Sequence, residues 1–138
     1  MSSFEDLAED LSVLDDWEDR YRYIIDLGKE LAPLATEERI DEVKVRGCAS
    51  QVWLITETEA GPDPVLRFRG DSDAHIVRGL IAVLIRLFSG KSASAILGID
   101  PRAELSRLGL EEQLTPQRSN GLFSMVERIR SDASAGMG

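Results

Sequence analysis

Between residues 42 and 69 the apolar side chains shift to a period of about two, whereas before and after that stretch they recur every three or four positions. A period of two belongs to a half-buried strand and a period near 3.6 to an amphipathic helix. One switch from the first pattern to the second and back confines the chain to helices, a short strand meander, and helices again. The expected fold class is therefore α+β, a small three-stranded antiparallel sheet covered by helices.

The strands are expected as follows. Val43 and Val45 alternate with Glu42, Lys44 and Arg46, which predicts a first strand. Residues 51–58, rich in β-branched and aromatic side chains, predict a second. Turn formers crowd residues 59–64, and residues 65–69 predict a third strand, with Leu66 and Phe68 opposite Arg67 and Arg69. None of the connections is long enough for a crossover helix, so the pairing should be antiparallel.

The helices carry their own punctuation. Ser2 or Ser3 can cap a first helix with Glu5 and Asp6 in its first turn and Leu7, Leu11 and Leu14 on one face. Asp15 or Asp16 can cap a second, whose inward face would hold Trp17, Tyr21, Ile24, Ile25 and Leu31, with Pro33 marking its end. A short helical piece is expected at residues 36–41. Ile76, Leu80, Val83, Leu84 and Leu87 then mark a central helix stopped by Gly90. Asp100–Pro101 and Thr115–Pro116 both read as capped helix starts, the second leading to a face of Leu122, Met125, Val126 and Ile129. One domain over residues 1–130 is expected, followed by a frayed small-residue tail at 131–138.

Composition excludes several functions. The formal charge is -9, from 25 acidic against 16 basic residues, so a nucleic-acid backbone or an anionic membrane would repel the chain. The start is acidic, and the most apolar run, residues 79–85, is far shorter than the roughly 20 residues needed to span a bilayer. A cytoplasmic chain is expected. With one cysteine and one histidine it can form neither an internal disulfide nor a tetrahedral Cys/His metal site, so no metal or cofactor is expected.

The one thiol, Cys48, follows Gly47 in the break between two expected strands. A free cysteine is commonly a buried small hydrophobe. On a glycine turn between strands it is also placed for chemistry. Hydrolysis by Cys48 would need His75 as general base, and a lone histidine in the first turn of a helix is more simply a surface residue. Sulfur exchange asks for less, because a thiolate can attack a sulfur–sulfur bond and keep the transferred atom as a persulfide.

Residues 46–54 (RGCASQVWL), 70–85 (GDSDAHIVRGLIAVLI) and 114–129 (LTPQRSNGLFSMVERI), in that order, resemble the SufE family of sulfur-acceptor proteins, as does the helix WEDRYRYIIDLGKEL at 17–31. The resemblance implies the fold shared with IscU-type scaffolds. It also implies a carrier, not a free-standing enzyme, that takes sulfane sulfur from a SufS-type, pyridoxal-phosphate-dependent cysteine desulfurase, enhances that enzyme, and passes the sulfur to an iron–sulfur assembly scaffold. Cys48 matches the acceptor cysteine. Gly47, Ser50 and Gln51 match its loop, Asp71, Ser72 and Asp73 an acidic segment facing it, and Arg118, Asn120 and Gly121 the final helix. A monomer or weak homodimer is expected.

Plainer readings stand beside these. Asp71 to Asp73 can serve to cap the central helix. Arg118 can pair with a surface acid or, near the loop, favour thiolate over thiol. Trp53 reads as core. The family pattern does not require a histidine at the place of His75, and the lack of further cysteines speaks against a cluster scaffold. A non-covalent regulator of the desulfurase is the alternative function, and a Cys–His hydrolase a more distant one.

Overall fold

The computed structural model describes residues 3–48, 50–110 and 114–137. In chain order it has helices α1 (Phe4–Ser12) and α2 (Trp17–Lys29), strands β1 (Val52–Thr58) and β2 (Val65–Ser72), and helix α3 (His75–Phe88). Strand β3 (Lys91–Ser92) follows, then helices α4 (Ala93–Gly98), α5 (Pro101–Ser106) and α6 (Pro116–Met137).

The helix starts obey the local chemistry. Ser3 caps α1 in a reciprocal box with Asp6, its hydroxyl accepting from the Asp6 N–H; Ser2 lies outside the described residues. Asp16 caps α2 and Asp100 caps α5, whose proline sits where a missing donor costs nothing. The Thr115 hydroxyl accepts from the Arg118 N–H at the start of α6.

The sheet is antiparallel, in the order β1-β2-β3. The fold class is the expected one, but the third strand is a different segment. Residues 42–46 do not form a strand: Asp41–Val43 winds into a 3-10 turn, and only Lys44 bridges Trp53, with Val45 donating to the Val52 carbonyl at 2.8 Å. The alternation of Val43 and Val45 comes from a turn followed by one bridge. The third strand is instead Lys91–Ser92.

One face of the sheet is solvated, with Arg69 reaching both Glu57 and Glu38 and Arg67 meeting Glu59. The other carries Leu66, Phe68 and Leu54 against α3, whose apolar residues are buried nearly all round. A helix of that kind needs cover on more than one side, and α2 provides it. The two helices approach closely at Gly28 and Gly79; a Cβ on Gly79 would overlap the Ile24 carbonyl. Leu122, Met125, Val126 and Ile129 of α6 complete the core, each no more than 3% exposed.

Leu31 is buried as expected, just beyond the end of α2. The frayed tail is not found from Ser131 to Met137: α6 continues to Met137, with Ala133 buried and Asp132 accepting from Thr56 Oγ1 at 2.6 Å. Among the described residues no helix is long and apolar enough to cross a membrane.

Candidate functional site around Cys48

The short bridge between residues 44–45 and 52–53 closes the base of a loop that carries Cys48. Gly47 turns that loop at φ +87°, in the left-handed region that favours glycine, with its α-carbon against Ser124 of α6. The other limb is clamped through the backbone of Gln51. Its carbonyl accepts from the Ser72 hydroxyl at 2.6 Å, and its N–H donates to Asp73 Oδ1 at 3.1 Å.

Behind this clamp lies Asp71, with no exposed surface. Its Oδ2 accepts from the Leu34 N–H (3.0 Å) and Arg39 (2.8 Å); its Oδ1 accepts from the Ser72 N–H (2.8 Å) and pairs with Arg78 at 3.2 Å. Burial alone would raise the carboxyl's pKa. The two N–H donors and two guanidinium groups outweigh it and hold the group below the usual aspartate range. Asp71, Ser72 and Asp73 therefore do not cap α3, which starts after Ala74 without a side-chain cap. They tie the segment after α2 and the cysteine loop to the end of β2.

Cys48 is half-buried, and its Sγ lies 3.6 Å from the carbonyl oxygen of Gly121. Burial pushes its thiol pKa up, so in this state the protonated form is favoured and Arg118 does not make a thiolate of it. Beside the sulfur is a cavity of about 30 Å³. Val77, Leu80, Leu122 and Met125 form its apolar wall; Ser50, Gln117, Arg118 and Gly121 border it. The loop and α6 thus bring together Cys48, Ser50, Arg118 and Gly121. Gln51 and Asn120 are exposed and do not line the cavity, nor does His75, which is exposed at the start of α3. Ala49 is outside the described residues.

Arg118 stacks its guanidinium 5.9 Å above the Tyr21 ring, between this cavity and a wider groove along α2. Sequence reasoning missed the roles of Arg39 and Arg78, the partners of Asp71, and of Val77. Nothing local marks the arginines, since their partner lies 32 residues away in one case. Among the described residues no three His, Cys, Asp or Glu side chains gather where a metal could be held.

Comparison with known proteins gives the family of the chain. A family model described as SufE, an Fe-S metabolism associated domain, matches residues 5–133. A SufE-like protein of Rhizobium etli is 56% identical over 134 residues, covering 96% of this chain and 90% of its own. One from Rhizobium meliloti is 52% identical, with 96% of both chains covered. In fold, the chain is similar to the solution structure of a hypothetical protein from Thermus thermophilus, with a TM-score of 0.75 at 20% identity over 97% of this chain and 95% of that one. With a family model spanning nearly the whole chain and relatives above half identity, this chain belongs to the SufE family, which is associated with iron–sulfur metabolism.

Proposed function

We propose that the protein is a sulfur carrier: Cys48 accepts sulfane sulfur from the active-site persulfide of a SufS-type cysteine desulfurase and delivers it to an iron–sulfur assembly scaffold. The observation that carries this reading is the space beside the sulfur. A cavity of about 30 Å³ is roughly twice what one water needs, and its wall is largely apolar. It suits one added sulfur atom held next to Cys48 and away from bulk thiols and oxidants.

The transfer is a thiol exchange. Cys48 loses its proton to solvent, and its thiolate attacks the terminal sulfur of the donor persulfide. A bond forms between that atom and Cys48 Sγ; the donor's own sulfur–sulfur bond breaks, and the donor cysteine leaves as a thiolate. No net oxidation occurs. The raised thiol pKa keeps Cys48 quiet in the sheltered position. Reaction requires the loop to swing outward, and the thiol itself is fastened only by a weak sulfur donor on the Gly121 carbonyl among the described residues.

The experiment that tests this reading measures desulfurase turnover with and without Cys48→Ser, in the presence of an external reductant. A carrier predicts that the variant gives no stimulation. Full stimulation by Cys48→Ser would make the protein a non-covalent regulator instead.

A further inference from the structure

Seven of the thirteen arginines hold a carboxylate: Arg39, Arg67, Arg69, Arg78, Arg86, Arg107 and Arg128. Arg22 and Arg118 hold none among the described residues, although acids exceed bases by nine. Both border one groove of about 550 Å³ along α2, floored by Trp17, Tyr21 and Ile25. All three floor residues are only partly buried. Glu18 is the groove's single acid and stands one turn before Arg22. Arg118 also borders the Cys48 cavity, so the groove and the thiol share a wall. Arg46, exposed two residues before Cys48, likewise lacks a carboxylate partner among the described residues.

We propose that this groove is the docking site for a segment of the sulfur-donating desulfurase that presents a carboxylate beside an apolar side chain. The proposal rests on the carrier reading above. Charge complementarity selects the occupant. On a chain of formal charge -9, Arg22 and Arg118 border this one groove without carboxylate partners among the described residues, so they attract a carboxylate to it and set its orientation. The apolar residue of the segment covers Trp17, Tyr21 and Ile25, while its carboxylate meets Arg22 and Arg118. A donor seated there lies against the wall that the groove shares with the cysteine cavity.

The test is a calorimetric titration of the full chain with a SufS-type desulfurase at low and moderate salt. Arg22→Glu is expected to weaken binding about tenfold and flatten its salt dependence. Arg67→Glu, on the solvated sheet face, should change affinity by less than about twofold. In steady-state assays Arg22→Glu raises the carrier concentration needed for half-maximal stimulation more than it lowers the maximum, which a general loss of structure would not do. Unchanged affinity and salt slope for Arg22→Glu would overturn the proposal. So would a homodimer of this chain that Arg22→Glu dissociates while desulfurase affinity stays intact, since the groove would then belong to a second copy. Failure of the carrier reading looks different: at saturating desulfurase the wild-type chain itself would gain no sulfur on Cys48.

Discussion

The Sγ of Cys48 rests 3.6 Å from the carbonyl oxygen of Gly121, so the loop that carries the thiol is docked on the second turn of α6. A carbonyl accepts from a thiol and repels a thiolate. This contact therefore belongs to the protonated, resting form, and the chemistry of the site depends on how readily it is broken.

Substitutions at Gly121 should act on that docking in opposite directions. A Cβ there would meet Cys48 Sγ at 3.5 Å, ordinary contact, and alanine is the better helix residue. Gly121→Ala is expected to stabilise the protein by about 1 kcal/mol and slow alkylation of Cys48. Gly121→Leu should crowd the sulfur out and speed alkylation. Urea unfolding and the rate of iodoacetamide labelling measure both.

Cys48 should titrate above the ordinary thiol value of about 8.5, because burial favours its neutral form. The pH profile of its alkylation will show this, and the same profile in urea should return to the ordinary value. The sign for stability follows: the contribution is complete below the unfolded thiol's pKa and is lost as pH rises through the folded one.

Replacing Asp71 by asparagine strips the partner from Arg39 and Arg78 at a fully buried site, at a cost of about 3 kcal/mol at neutral pH. Because the folded pKa is depressed, this contribution is present above the unfolded aspartate value of about 3.9 and is lost as pH falls through the folded value. The stability gap between wild type and Asp71→Asn, read by urea denaturation, should therefore narrow as the solution is acidified below about pH 4.

Gly47→Ala places a side chain at φ +87° and should cost about 1–2 kcal/mol, with faster labelling of Cys48 as the turn relaxes. Thermal unfolding and the labelling rate together check this.

His75→Ala should leave sulfur loading of Cys48 unchanged, since the imidazole is exposed and does not line the cavity. Intact mass after loading decides it. Loss of loading would revive a Cys–His pairing.

The elements that were legible in the sequence are those whose signal is local. Asp16, Asp100–Pro101 and Thr115–Pro116 each start a helix through contacts within three residues. Leu66 and Phe68 alternate with Arg67 and Arg69 because one sheet face is wet. Cys48 was legible as a loop thiol because Gly47 marks the turn. What was misread depends on distance. Lys91–Ser92 is too short to show a period, yet pairs with Val65 and Leu66. Val43 and Val45 alternate without forming a strand, since only Lys44 and Val45 reach β1. Asp71 reads as a cap by sequence, and only folding brings Arg39 and the Leu34 N–H to it. The tail at residues 131–137 has small residues typical of a fray, but burial of Ala133 and the Thr56–Asp132 bond keep it helical.

The most direct measurement is the intact mass of the protein after incubation with a cysteine desulfurase and cysteine, without reductant. Wild type is expected to gain one sulfur atom, removable by a reducing thiol, and Cys48→Ser to gain none. A wild-type chain that stimulates the desulfurase while its mass stays unchanged would contradict the account.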